Sequence, residues 1–278
     1  MQAGDRDAAV RTIARDGDLD RYVSALFAPG ACREHLFALY AFNVELARIG
    51  EQVSEPQLGE IRLQWWRDAL AGPGHGDVRA NPVAAALLDT VAHCGLPVDE
   101  LIALIDAHGA DLYEEPMPTL QALEVYARDT AGRLFDLAAL ILDGTRVGLA
   151  GTSSGIAYGL AENLRAFPYH AARGRIFLPL DMLERHGVTR DFILAGKPSA
   201  GLATVLAELR ARTREHLAEA ERHWHSVAPA AMPALLPLAL VRPLLARMDS
   251  NPNPFAPIEL PRWRRQWLLW RAARRGIF

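Results

Sequence analysis

Lysine and cysteine are nearly absent from this 278-residue chain. Lys197 is the only lysine, so arginine supplies almost all positive charge, and its planar fork suits phosphate or carboxylate groups. The two cysteines, Cys32 and Cys94, follow no metal-binding or disulfide pattern, which favours free, buried thiols in a reducing cytoplasm. The net charge of −3 argues against a global field that attracts nucleic acid, so no nucleic-acid partner is expected.

Long apolar runs are also lacking. Residues 1–18 contain no apolar core typical of a signal peptide. The most apolar stretch, residues 228–241, is interrupted by Pro229, Pro233 and Pro237 and is shorter than the ~18 to 20 residues that cross a bilayer. We therefore expect a soluble, cytoplasmic protein that contacts the inner face of a membrane at most peripherally.

Strand signals are scarce. Alanine and leucine dominate, β-branched runs are few, and no Asn-Gly or Asp-Gly hairpin lies between alternating strands. Half of the residues are hydrophobic, which is enough for a sizeable core, and the connections are short. The sequence predicts an all-α protein that forms a single domain over residues 1–278.

Turn and cap residues delimit the predicted helices. Asn81-Pro82 reads as an N-cap followed by a first-turn proline, and Thr119 caps a long apolar helix. Pro168 predicts that the helix before it kinks or ends there, because proline lacks a donor and clashes with the preceding turn. The predicted helices cover residues 5–26, 31–53, 56–72, 82–94, 97–112, 120–142, a segment leading into 159–167, 198–227, 235–248 and about 258–276.

Four sequence blocks follow one another along most of the chain: LFAPGACREHLFALYAFNVELA, LQWWRDAL, YARDTAG and LRAFPYHAARGRIFLPLDMLERHGV. In this order, over about residues 21–248, they resemble the squalene/phytoene synthase family of head-to-head prenyl transferases. The GRIFLP block at residues 174–179 is the most specific part of the resemblance. The resemblance implies the all-α isoprenoid-synthase bundle, with a central cavity between antiparallel helices.

In that family, two acidic motifs on facing helices hold Mg²⁺ ions that neutralise the diphosphate leaving group. This chain departs from both motifs. The first would fall on Ala47, Arg48 and Glu51, and the second on Ala166 and His170. Alanine supplies no ligand and arginine inverts the charge at a metal site. We therefore expect no catalytic residues at these positions, no metal and no Mg²⁺ cofactor.

The departures themselves follow a pattern. AFNVELA, VSEPQLGEIRLQWW and LRAFPYHAARGRIFLP resemble a non-classical branch of the family, the branch of the complex I assembly factors, which keeps the fold and replaces both aspartate motifs. The resemblance implies a non-catalytic partner of complex I subunits or assembly intermediates. Two alternatives stay open: an active head-to-head prenyl transferase that condenses isoprenoid diphosphates with atypical Mg²⁺ ligands, and a binder of an isoprenoid or lipid in the former cavity.

The candidate ligand-binding residues are polar side chains at or near the family motifs. They are Glu45, Arg48, Glu51, Glu55, Tyr126, Arg128, Glu162, Arg165, His170 and Arg175. We favour ion pairs at i,i+3, Glu45 with Arg48 and Glu162 with Arg165, over a reduced metal site, because arginines compete with a cation for carboxylates. His170 is interpreted as a capping or hydrogen-bonding residue. Arg165 and Arg175 either grip a diphosphate or acidic headgroup or form structural pairs.

The predicted last helix, at about residues 258–276, combines aromatic and basic residues. Trp263, Trp267 and Trp270 recur at i, i+4 and i+7, while Arg264 and Arg271 lie mostly elsewhere on the helix. Such a helix can lie in a membrane interface, with its arginines on anionic lipid. It can equally bind a partner protein or dock its tryptophans on the bundle, and the sequence leaves the three interpretations open.

Overall fold

The computed structural model describes residues 3–53, 55–72, 77–113 and 115–276, and the regular structure in these ranges is helical, with no strand. The all-α class predicted from the sequence is therefore confirmed. The α-helices are α1 (Ala3–Gly17), α2 (Leu19–Ala25), α3 (Gly30–Gln52), α4 (Pro56–Ala71), α5 (Pro82–Cys94), α6 (Val98–Ala107), α7 (Leu120–Ala127), α8 (Arg133–Asp143), α9 (Gly148–Ala172), α10 (Leu180–Arg185), α11 (Arg190–Leu194), α12 (Ala200–Arg222), α13 (Met232–Leu235), α14 (Val241–Asp249) and α15 (Arg262–Arg275).

The chain forms two compact units, each built from segments that are distant in sequence. Unit 1 comprises Met1–Tyr113, Arg133–Gly148 and Val227–Pro237. Unit 2 comprises Glu114–Gly132, Leu149–Ser226 and Leu238–Phe278. The single domain expected over residues 1–278 stays a prediction.

Helix α3 is the centre of unit 1 and packs against α1, α5 and α8. Its Leu36, Leu39, Tyr40, Phe42 and Leu46 side chains are each at most 1% exposed. Burying one large apolar side chain stabilises a fold by about 1.5 to 3 kcal/mol. This core fixes the rotation of α3 and hence the direction of every polar side chain on it.

Helix α5 begins as predicted. The Oδ1 atom of Asn81 accepts hydrogen bonds from the backbone N–H groups of Val83 and Ala84, at 2.8 and 3.0 Å. Pro82 takes the first helical position, where its missing N–H has no intrahelical partner to lose. Gly95, with a φ of 64°, ends the helix.

Helix α9, the long helix of unit 2, continues through Pro168 and ends four residues later, at Ala172. Proline removes one backbone donor, but Phe167 and Ala171 on either side are buried, so packing holds this last turn in place. The chain then reverses at Gly174, whose φ of 78° is a left-handed conformation that favours glycine. Helix α9 therefore ends about one turn later than Pro168 predicts.

The long helix predicted after Thr119 is interrupted by a π-helical turn at Arg128–Gly132. Helix α9 approaches this turn very closely, because a Cβ atom on Gly155 would lie 2.1 Å from the Cα atom of Gly132. One turn further, a Cβ atom on Gly159 would lie 2.7 Å from the Ala127 side chain. Only glycines at these two positions of α9 allow this approach.

One stretch among the described residues, Pro229–Asp249, is long and apolar enough to cross a membrane, with a mean hydropathy of 1.5 in an 18-residue window. The expectation that no stretch reaches this length is therefore wrong. Helical turns accommodate Pro229, Pro233 and Pro237, so the apolar run continues into α14. However, 61% of the window is buried inside the structure, and core helices of globular proteins pass the same test.

Candidate functional site

The first motif position lies near the end of α3, in unit 1. Ala47 and Glu51 are exposed, whereas Arg48 is half-buried. Around the helix axis, Arg48 lies about 100° from Ala47 and about 60° from Glu51. Glu55 is also exposed, and its side chain makes no capping hydrogen bond at the start of α4. The motif positions Ala47 and Glu51 thus present one methyl group and one exposed carboxylate.

Glu45 is the half-buried carboxylate of α3. Burial raises its pKa, while a hydrogen bond from the Asn81 side chain and the charge of Arg48 oppose that rise. Since the Asn81 oxygen already caps α5, its amide nitrogen is the group that faces Glu45. The ion pair expected between Glu45 and Arg48 is absent from the described contacts, and Arg48 acts on the pKa of Glu45 through its charge alone.

A buried polar cluster covers another face of α3. The Nδ1 atom of His108 lies 2.7 Å from a carboxylate oxygen of Asp111, and its Nε2 atom lies 3.4 Å from the Oδ1 atom of Asn43. Gly50 is pressed against the same segment, since a Cβ atom there would lie 2.4 Å from the Asp111 carbonyl oxygen. Sequence reasoning missed this cluster because no motif spacing links Asn43 to residues so far along the chain.

The second motif position lies on α9, in unit 2. The Nε atom of Arg165 lies 3.1 Å from both carboxylate oxygens of Glu162, and its Nη2 atom lies 2.5 Å from Oε2. The predicted ion pair is therefore present. The Arg165 guanidinium contacts the same carboxylate oxygens of Glu162 that a metal ion would need as ligands. The two side chains are 33% and 30% exposed, so solvent screens the pair only in part.

His170 lies at the end of α9 and serves the turn that follows. Its backbone oxygen accepts hydrogen bonds from the N–H groups of Arg173 and Arg175, both at 2.9 Å. Its ring packs on Phe177, with the ring centroids 4.7 Å apart. The guanidinium of Arg175 lies 5.3 Å from the centroid of the same ring, so His170 and Arg175 both pack on Phe177.

Tyr126, just before the π turn, and Arg128, within it, contact residues that are close to them in sequence. Tyr126 is half-buried, and its backbone oxygen accepts a hydrogen bond from the Thr130 hydroxyl at 2.7 Å. Arg128 is exposed and forms a two-contact ion pair with Asp129, with both distances 3.0 Å. The Arg128 charge is therefore largely neutralised by its sequence neighbour.

Glu124, two residues before Tyr126, forms ion pairs that sequence reasoning did not predict. Arg212 and His216 of α12 approach its carboxylate at 2.5 and 2.8 Å. Burial alone would raise the pKa of Glu124, but these two hydrogen bonds outweigh burial and leave the pKa lowered. Glu124 therefore joins α7 to α12 as a charged residue.

The motif positions do not fit Mg²⁺, a hard cation that needs several oxygen ligands. Ala47 and Ala166 offer none, and Arg165 holds the carboxylate of Glu162. Across the described part of the chain, no three His, Cys, Asp or Glu side chains are grouped so that they could hold a metal ion. We derive no reaction step through a metal at these positions.

Helix α15 docks on unit 2 through aliphatic side chains. Leu268, Leu269 and Ala272 are 7%, 1% and 4% exposed. The indole Nε1 atom of Trp224 donates a hydrogen bond to the backbone oxygen of Gly276 at 2.7 Å, which holds the end of the helix. Leucines and one alanine, and none of the three tryptophans, therefore form the docking face.

The tryptophans of α15 point outward. Trp263, Trp267 and Trp270 are 70%, 47% and 47% exposed, which contradicts the interpretation that they dock on the bundle. The guanidinium of Arg271 lies 5.1 Å from the Trp267 ring centroid, and Arg264 is exposed. The outer face of α15 thus combines indole rings with arginines.

Residues 14–271 match the squalene/phytoene synthase family, and the chain belongs to this family. It is 32% identical to mouse NADH dehydrogenase (ubiquinone) complex I assembly factor 6 over 226 residues, which are 81% of this chain and 68% of that protein. Identity to the human protein of the same name is 30% over 240 residues, 85% of this chain and 72% of that protein. Identity to chloroplastic phytoene synthase 2 of tomato is 26% over 226 residues, 77% of this chain and 73% of that protein.

Solved structures share the fold. The crystal structure of squalene synthase HpnC from Alicyclobacillus acidocaldarius is 25% identical, with a TM-score of 0.72 over 88% of this chain and 93% of that one. A dehydrosqualene synthase in complex with a ligand is 16% identical, with a TM-score of 0.82 over 98% of this chain and 97% of that one. The isoprenoid-synthase fold and the resemblance to the non-classical branch are both confirmed.

Proposed function

We propose that this protein is a non-catalytic factor in the assembly of respiratory complex I, and that it binds complex I subunits or assembly intermediates. The observation that carries the proposal is its identity of 30 to 33% to mammalian complex I assembly factor 6, against 25 to 26% to phytoene synthases. Over chains of this length, that difference favours the assembly factors as the functional relatives.

The geometry of the motif positions supports the same proposal. In unit 1, Ala47 supplies no ligand, and Arg48 places a positive charge where a metal-binding carboxylate would be needed. In unit 2, Arg165 neutralises Glu162 in place of a cation. A diphosphate leaving group needs metal ions held by several carboxylates, whereas these positions carry an alanine, an arginine and a glutamate that is already paired.

Deletion of the gene in its own organism tests the assembly role. We expect NADH:ubiquinone oxidoreductase activity and the fully assembled complex on native gels to fall, while succinate:quinone reductase activity, the control, is unchanged. Expression of the wild-type chain should restore both. Normal complex I level and activity in the deletion strain would disprove the role.

A separate experiment tests the non-catalytic part of the proposal. The purified protein is incubated with farnesyl diphosphate and Mg²⁺, with a dehydrosqualene synthase as the positive control. We expect the control to form a C₃₀ product and this protein to form none. Turnover by this protein would favour the alternative function, an active head-to-head prenyl transferase with atypical ligands.

We further propose that the protein works in the cytoplasm, at the inner face of the membrane, with α15 as its contact. The helix carries six arginines and no acidic residue, next to three exposed tryptophans. A helix of this kind lies in the headgroup region of an anionic bilayer, and each basic residue near the surface contributes about 1 kcal/mol.

Vesicle binding tests the membrane contact. The protein should sediment with vesicles that contain phosphatidylglycerol and not with vesicles of phosphatidylcholine alone. The double variant Arg264→Gln/Arg271→Gln loses about 2 kcal/mol, or roughly thirtyfold in partitioning. Phe192→Ser, which removes an exposed aromatic residue outside α15, is the matched control and should bind normally. Equal binding of both variants would rule out α15 as the contact.

A further inference from the structure

A cavity of about 380 Å³ lies in unit 1, beside the second half of α3. Helices α1, α3 and α4 and the N-cap of α5 form its wall. Its lining residues on α3 are Glu45, Arg48, Ile49 and Gln52. Arg48 is a motif position, whereas Ala47 and Glu51, the other two motif positions on the same helix, are not part of the lining. Of the three motif positions on α3, only Arg48 therefore faces this cavity.

The apolar part of the wall is rigid. Trp66 is 3% exposed and packs edge-to-face on Phe42, with the ring centroids 4.9 Å apart. Trp65 packs edge-to-face on Trp66 at 5.0 Å, so its indole is anchored to the core. Ile13 and Ile49 complete this surface. Preformed aromatic and aliphatic walls of this kind receive the apolar body of a ligand.

The polar part of the wall carries two guanidinium groups. Arg62 donates one hydrogen bond, to the side-chain oxygen of Gln52 at 2.8 Å, which orients its planar fork at the cavity. Arg48 lines the same cavity, and no carboxylate among the described residues lies within ion-pair distance of it. Glu45 contributes the one negative charge among the lining residues.

The charges and the volume select the class of ligand. Two arginines and one glutamate leave a net charge of +1 in the wall, which matches a monoanion better than a phosphate ester with two charges. The paired N–H groups of arginine fit a carboxylate in a two-contact geometry. The volume of about 380 Å³ lies in the range of small-molecule sites, roughly 300 to 1,000 Å³. We propose that this cavity binds a small monocarboxylate with an apolar body, whose carboxylate contacts Arg48 and Arg62 and whose body contacts Trp65.

Calorimetric titration of the purified full-length protein with decanoate tests the proposal. Decanoate has the required charge and about the required size, and decanol is the uncharged control. We expect saturable binding of decanoate and at least tenfold weaker binding of decanol. Arg48→Ala and Arg62→Ala should each weaken decanoate binding about tenfold or more. Because Arg62 is exposed, its variant should fold even if the Arg48 variant does not.

A variant on the same helix serves as the matched control. Arg67→Ala removes another arginine of α4, one that pairs with Asp106 at 2.8 Å and does not line the cavity, so decanoate should bind it as it binds the wild type. The proposal is overturned if decanoate does not bind, if decanol binds equally well, or if Arg62→Ala binds decanoate like the wild type. None of these outcomes bears on complex I assembly, which the gene deletion tests on its own.

Discussion

The close approach of α9 to the π turn makes a sharp prediction about Gly155. A Cβ atom at this position would lie 2.1 Å from the Cα atom and 2.4 Å from the nitrogen atom of Gly132. Ordinary contacts of such an atom lie at 3.4 to 4 Å, and both clashing atoms belong to the backbone. In Gly155→Ala, no side chain can rotate away, so α9 and the turn must separate by more than an ångström.

The size of the effect follows from two opposing contributions. Overpacking of this kind costs about 3 kcal/mol, the upper end of the usual range, because backbone has to move. Replacing glycine with alanine inside a helix by itself stabilises the helix by about 1 kcal/mol. We expect a net loss of about 2 kcal/mol, which lowers the melting temperature by about 4 to 8 °C in a protein of this size.

Thermal unfolding followed by circular dichroism measures the difference. Gly4→Ala is the matched control, because it also lies in a helix and a Cβ atom there meets nothing within 4 Å. Its melting temperature should equal or slightly exceed that of the wild type. If Gly155→Ala melted together with Gly4→Ala, the close packing of α9 on the π turn would be refuted.

Three further changes test single interactions. Asn81→Ala should cost about 1 to 2 kcal/mol in urea unfolding because the α5 cap is lost, whereas Asn81→Ser keeps a capping oxygen and should recover most of it; equal losses would contradict the capping role. The lowered pKa of Glu124 means that its pairing stabilises the fold above the ordinary carboxyl pKa of 4.5 and is lost as the pH falls through the lower folded-state value. Glu124→Gln should therefore have a lower melting temperature than the wild type at neutral pH, and its melting temperature should decrease less as the pH falls. A decrease as large as that of the wild type would argue against the ion pair. Arg165→Ala removes a partly exposed pair and should cost less than about 1 kcal/mol, so a much larger loss of stability would show that Arg165 has another structural role.

Features set by a few neighbouring residues were predictable. The N-cap at Asn81 and the stop at Gly95 depend on backbone groups within one helical turn, so residue type alone indicates them. The ion pair of Glu162 with Arg165 follows from i,i+3 spacing on one helix. The prediction at Pro168 was displaced by one turn because burial of Phe167 and Ala171 outweighed the local preference of proline.

Features that depend on packing were not predictable. Glu45 was expected to pair with Arg48, three residues away, but no such ion pair is among the described contacts, and Asn81 from a distant segment also acts on the pKa of Glu45. The cluster of His108, Asp111 and Asn43 likewise joins two segments that no motif connects. Helix α15 carries tryptophans on one face and leucines on another, and the sequence did not show which of the two faces docks on the fold.

The sequence by itself determined the helical class and the membership of the squalene/phytoene synthase family, because these depend on residue identity and on spacing along the chain. Only the tertiary structure decided which face of each helix meets a neighbour. It turned Trp263 outward and Leu269 inward on α15, and it placed Arg48 and Arg62 around one cavity. The physical reason is that periodicity gives the relative angle between side chains on one helix, whereas the rotation of that helix is set by the surfaces that pack against it.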